Sequence, residues 1–310
     1  MASLTENPKP LRGILLMLTA VTLFTVMTSL IKAADRIPPG QAVFFRAFVA
    51  IPVILLWFGA RGQISDALRT RNWKGHATRG LVGSTAMGLG FAGLKFLPLP
   101  EVTALRFVTP ILIVIFAALM LGERVRLIRL SAVGVGLAGV LIILSPRLTA
   151  EGSASELFGA GIVLGSATLA AFAQIFVKRM TGTEHVAAIV FYFSLTASTL
   201  GLLTLPFGWV WPMGWEWVFL LGAGTIGAAG QLCLTASYSH AEAGVLAPFT
   251  YISMLWAIAI GWVVFAEVPT VPMLAGSALI VSAGVAIVLR ERQLGLKRAA
   301  EAKVRAKGMQ

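Results

Sequence analysis

Ten runs of predominantly apolar residues, at about 11–33, 41–60, 79–97, 101–121, 128–145, 157–177, 185–207, 215–238, 243–265 and 271–289, fill most of this 310-residue chain. Each is close to the roughly 20 residues that a helix needs to cross a hydrocarbon core. Breakers separate them, among them Pro38-Pro39-Gly40, Pro98-Leu99-Pro100, Ser145-Pro146 and Val268-Pro269. Lipid offers the backbone no hydrogen bonds, so spanning segments are helices or closed barrels, and runs this long without alternation argue against a barrel. Composition agrees: 57% of residues are hydrophobic and 12% charged, against about 25% charged in ordinary soluble domains. The expected fold is therefore an all-α integral membrane protein of ten transmembrane helices, with no room for a separate soluble domain.

The net charge of +12 does not point to nucleic acid, because the basic residues lie in short tracts between the apolar runs. With the N-terminus taken as cytoplasmic, nineteen Lys and Arg fall on that side, in the N-terminus, 61–79, 124–129, 178–179 and 290–307. The other side receives Lys32, Arg36, Lys95 and Arg147. This asymmetry predicts a multi-pass protein of the bacterial cytoplasmic (inner) membrane with both termini cytoplasmic. The first run exceeds the apolar core of a signal peptide and reads as a retained span. Cys233, the single cysteine, reads as a packing residue.

The chain also matches itself. Ala42-Val-Phe-Phe-Arg-Ala-Phe48 resembles Ala188-Ile-Val-Phe-Tyr-Phe-Ser194, and Lys32 matches Lys178, both at an offset of about 146. Glu123 matches Glu267 and Gly139-Val140 matches Gly284-Val285 at almost the same offset, as Phe107 does Tyr251. Five helices per copy is odd, so the second copy enters the membrane inverted, an arrangement suited to rocking about a midplane site.

In these features the chain resembles the drug/metabolite transporter superfamily, specifically its bacterial ten-helix members built from two EamA-type repeats. The carrying segments are Leu99-Pro-Glu-Val-Thr-Ala-Leu-Arg-Phe-Val-Thr-Pro110, Leu121-Gly-Glu-Arg124, Ala247-Pro-Phe-Thr-Tyr251 and Ala266-Glu267. The implied organisation is one five-helix repeat over 11–145, a second over 157–289, and a basic cytoplasmic tail over 290–310. The resemblance also implies that spans one to four and six to nine surround a central cavity, with five and ten at the periphery.

Three GxGxxG segments, starting at Gly88, Gly134 and Gly222, lie inside apolar runs and lack the strand and acidic residue of a dinucleotide site. They read as close helix packing. No HExxH, GxSxG, Walker sequence or clustered metal ligands are present, so no enzyme activity, cofactor or metal is expected. His76, His185 and His240 fall at loop ends and read as solvated at the interface.

The residues that lipid should exclude are the candidate site. Arg46 and Arg106 each lie about five residues into a span, where a guanidinium either snorkels to headgroups or lines a water-filled cavity. In the second case they would hold a carboxylate or another anion, with Glu101 as a resting partner. Thr22, Thr25 and Ser29 share one flank of span one, either as cavity lining or bonded back to their own helix. Gln174 and Gln231 carry amides that need partners, in neighbouring helices or in substrate. Tyr251 and Trp256 are the aromatic cavity candidates, whereas Trp209, Trp211, Trp215 and Trp217 suit an interfacial belt. Pro52, Pro110 and Pro248 are expected to kink their helices. No Asp or Glu lies mid-span, leaving Glu101 and Glu242 at helix starts as the proton-coupling candidates.

The expected function is secondary transport of a small organic metabolite by alternating access, with export of an amino acid, aromatic ones included, as the leading reading. Import of a nucleoside-like or cofactor-like metabolite and export of cationic drugs remain as alternatives. A channel would need a charged ring or carbonyl filter, and neither is visible. The expected partners are the substrate and the bilayer, with the protein a monomer or homodimer and no nucleic acid bound.

Overall fold

The computed structural model describes residues 10–62, 64–121, 127–148, 153–180, 183–240 and 249–286, with Leu246 and Leu289. Glu123, Glu242, Pro248 and the basic tail lie outside the described residues. Every described element is helical: α1 (Pro10–Ala33), α2 (Pro39–Gly59), α3 (Ile64–Leu68), α4 (Trp73–Gly93), α5 (Leu99–Arg106), α6 (Val108–Leu121), α7 (Leu127–Leu148), α8 (Ala154–Met180), α9 (Val186–Leu202), α10 (Trp215–His240) and α11 (Ile252–Phe265), with a 3-10 turn at Leu205–Phe207. A last apolar helix, α12, covers Val271–Ala286.

Four segments are each long and apolar enough to cross a membrane: Leu11–Ala33, Pro39–Gly59, Ala154–Val177 and Trp215–Ser237. The other expected spans differ for identifiable reasons. Span three begins at Trp73 rather than 79, because the Asn72 side chain caps α4 by accepting from the Gly75 N–H at 3.0 Å. Its first two turns therefore carry Lys74, His76 and Arg79, which dilute the apolar signal. Span four is two helices with a break at Phe107, whose N–H turns to the Ala104 carbonyl at 3.1 Å. Pro110 is the cause: it has no N–H to offer the Arg106 carbonyl four residues back. Pro52 lies within α2 without such a break.

The two halves do not pack as separate bodies. The largest contacts join helices of one half to helices of the other: α1 with α10, α4 with α8, and α2 with α9. One apolar cluster accordingly draws Met27, Leu99 and Val140 from the first half and Val163, Leu220 and Ile280 from the second. Glycines permit the closest crossings. A Cβ on Gly139 of α7 would lie 2.7 Å from the Gly276 carbonyl of α12, and one on Gly224 of α10 would lie 3.0 Å from the Phe45 carbonyl of α2. The GxGxxG segments thus serve packing, as their place inside apolar runs predicts.

Interlocking contacts define two ends of the bundle. At one, Lys32 meets Glu267, Arg36 lies 3.6 Å from Glu216, and Lys95 Nζ donates to the Asp35 carbonyl at 2.7 Å. At the other, the 60–72 connection meets Glu184 and Tyr192.

Candidate functional site

Between those ends the bundle holds two arginines that make no ion pair among the described residues. Arg46, the eighth residue of α2, is only 4% exposed. Arg79, the seventh residue of α4, is the second of the two. Both face the ring of Phe193 on α9, with Cζ at 5.8 Å from the ring centre for Arg46 and 3.7 Å for Arg79. The electron-rich ring face offsets part of each charge but removes neither. Arg46 Nε and Arg79 Nε and Nη1 are buried without a hydrogen-bond partner among the described residues.

Glycines make the space for these side chains. A Cβ on Gly227 of α10 would lie 3.2 Å from Arg46 Nε, and one on Gly83 of α4 would lie 3.0 Å from Arg79 Nη1. Arg106, at the end of α5, lies further along α4: a Cβ on Gly90 would stand 3.8 Å from its Nη1, an ordinary contact distance. Arg106 is exposed. Beside it, Ser166 Oγ donates to the Ala86 carbonyl at 2.6 Å and ties α8 to α4.

The other candidates are dispersed. Thr22, Thr25 and Ser29 each donate to the carbonyl four residues earlier at 2.9 Å, so their hydroxyl protons are committed to α1. Gln174 is exposed on α8 and Gln231 half-buried on α10. Tyr251 is buried, with its ring 5.0 Å from that of Phe107 and its hydroxyl over Gly284. Trp256 is 42% exposed and about 140° around α11 from the buried stripe of Met254, Ala257 and Gly261. An apolar cleft of about 360 Å³ between α11 and α12 is lined by Tyr251, Met254, Ile258, Leu274 and Val281, with Ser277 its one other polar group. It offers no charged partner for a polar solute.

Each end of the bundle is closed by a glutamate. The left-handed turn at Ala266 (φ 54°) swings Glu267 back from α11, so that Oε1 meets Lys32 Nζ at 2.7 Å and Oε2 accepts the Leu99 N–H at 2.9 Å. One side chain thereby ties the ends of α1 and α11 to the start of α5, whose positive dipole end suits the carboxylate. At the opposite end Glu184 accepts the Arg71 N–H at 3.1 Å and lies 3.2 Å from His76 Nε2. Burial pushes the Glu184 carboxyl up, but hydrogen bonds from His76, Thr70 and the Arg71 N–H outweigh it and hold the group below the usual carboxylate value. His76 is thus a buried partner, 3% exposed, and not the solvated interfacial residue that its place beside a loop predicts. Among the described residues no group of His, Cys, Asp and Glu could hold a metal.

Sequence reasoning missed Arg79, Phe193 and both closing pairs. Arg79 had a visible signal, the Asn72 cap that starts its helix early; Phe193 looks like any lipid-facing aromatic.

A family model described as the EamA-like transporter family matches residues 11–145 and again 157–290. The chain belongs to the EamA-like transporter family. It is a membrane transporter and not an enzyme. It is 32% identical to the pseudopaline exporter CntI of Pseudomonas aeruginosa, over 89% of this chain and 95% of that protein. It is also 29% identical to a riboflavin transporter of Vibrio cholerae, over 88% of this chain and 91% of that one. A solved crystal structure shares the fold at a TM-score of 0.64, with 22% identity, covering 91% of this chain and 98% of that one.

Proposed function

We propose that this transporter exports a small organic metabolite of the amino-acid type, recognised through a carboxylate, across the bacterial cytoplasmic membrane by alternating access. The observation that carries the reading is the pair Arg46 and Arg79 on Phe193, two interior cations with no ion-pair partner among the described residues. A guanidinium at membrane depth costs several kcal/mol unless it pairs or faces water, so an unpaired couple there is a site for something that arrives. The same feature disfavours a cationic drug. Export is favoured by the likeness to a named exporter.

In this reading ten spans form two inverted repeats, 11–145 and 157–289, and both termini are cytoplasmic. The end closed by Lys32 and Glu267 is then external and the end closed by Glu184 and His76 cytoplasmic. The break at Phe107 and the turn at Tyr251 occupy matched positions, and their rings touch, as residues beside an axis relating two repeats would. Substrate enters when the Glu184 end opens and leaves when the Lys32–Glu267 end opens.

Counterflow in proteoliposomes tests this. Vesicles loaded with amino acids, nucleosides or polyamines are given the labelled member of each class. Saturable exchange of an amino acid, lost in Arg46→Ala, supports the reading. Exchange of nucleosides or polyamines alone, by protein of verified fold, overturns the substrate class.

A further inference from the structure

We infer that the Arg46–Arg79 site takes a substrate carrying two anionic groups, one for each guanidinium, so that the loaded site is close to electrically neutral. The inference rests on the carboxylate reading above and narrows it.

Each described acidic residue lies in a connection, in the short helix α3 or in the first turn of a helix. The described acids nearest the two ends are engaged: Glu267 by Lys32 and Leu99, Glu184 by His76 and Arg71, Glu216 by Arg36. Neither Arg46 nor Arg79 is among the residues so paired, and both lie over the uncharged ring of Phe193. A substrate with a single carboxylate would neutralise one guanidinium and leave the other desolvated beside it. Unpaired buried charge is the costly state, whereas a second anionic group on the substrate removes it and brings a second charge-assisted pair.

Arg46 packs on Gly227 of α10, where a Cβ would lie 3.2 Å from its Nε, and Arg79 packs on Gly83 of its own helix α4, where a Cβ would lie 3.0 Å from its Nη1, so the two guanidiniums are seated by different helices. Arg106 stands over Gly90, seven residues further along α4 than Gly83, about 10 Å at 1.5 Å per residue. It is a third cation on the path toward the Lys32–Glu267 end, placed to take over an anionic group as the substrate leaves.

A transport consequence follows. The empty site carries two positive charges that must move through the cycle uncompensated, so the loaded carrier reorients faster than the empty one. The protein should behave as an exchanger, with counterflow much faster than net efflux.

The test compares pairs that differ by one carboxylate: glutamate with glutamine, and aspartate with asparagine. Two readouts are taken on detergent-purified and reconstituted protein: half-saturating concentration for thermal stabilisation, and labelled counterflow. The expected result is a preference of about tenfold or more for the dicarboxylic member, abolished in both Arg46→Gln and Arg79→Gln and partly restored in Arg46→Lys and Arg79→Lys. Size-exclusion profiles of the four variants establish that they fold. Equal response to both members of each pair, preference for the amide, no response to either acid, or preference that survives both glutamine substitutions would each overturn the inference. Binding of the acids without exchange would sink the transport reading and leave the dianion site standing. Exchange without charge preference would do the reverse.

Discussion

Lys32 Nζ lies 2.7 Å from Glu267 Oε1, joining the last turn of α1 to the residue that the left-handed Ala266 swings back from α11. Because Glu267 also accepts the Leu99 N–H, three helices depend on this one carboxylate. Glu267→Gln keeps the size and loses the charge, and Lys32→Ala removes the cation. Both are expected to open that end several-fold more often, read as faster thiol labelling of a cysteine placed at position 97. The exchanged pair Lys32→Glu with Glu267→Lys should recover part of the closure, whereas unchanged labelling in all three would show that the pair does not hold the end.

The glycines beneath the arginines predict a pattern that simple packing does not. Gly227→Val would push into Met27 and Arg46, and Gly83→Val into Arg79 and Phe193; both should reduce exchange by about tenfold or more while the protein remains monodisperse. Gly134→Ala and Gly161→Ala meet nothing within 4 Å and should transport like the parent. Equal losses at all four positions would mean that helix packing alone is being measured.

Acidification should act on the other end first. The Glu184 carboxyl is held below its ordinary value of 4.5, so its contribution to stability is complete above that pH and is lost as the pH falls below it. The melting midpoint is expected to fall on acidification below 4.5. Glu184→Gln should lower the midpoint by a few degrees at neutral pH and flatten the acid limb, and an acid limb unchanged by the substitution would contradict the assignment.

Pro110 leaves the Arg106 carbonyl without its helical donor, and the break at Phe107 follows. Pro110→Ala restores that donor. It should straighten α5 into α6, raise the melting midpoint and slow exchange several-fold, since Arg106 sits at the break. Parent-like exchange kinetics would remove the break from the mechanism.

What could be read from the sequence depended on whether a residue's role shows in its immediate neighbours. Arg46 is visible because apolar residues flank it on both sides, so a cation there needs explaining. Arg79 is hidden because the apolar run starts only at its own position, while the helix starts at Trp73; an inward-facing turn carries polar residues that hydropathy reads as loop. Spacing puts Thr22, Thr25 and Ser29 on one helical flank, but it does not say whether a hydroxyl serves substrate or its own carbonyl. Glu184 and His76, 108 residues apart, and Lys32 and Glu267 are brought together only by the interleaving of the two halves. No local pattern encodes such pairs.

A structure with the exchanged substrate bound shows whether Arg46 and Arg79 hold it against Phe193. An anionic group is expected within about 3 Å of both guanidiniums. Substrate seated instead in the cleft between α11 and α12, beside Tyr251 and Ser277 with both arginines unoccupied, would contradict it.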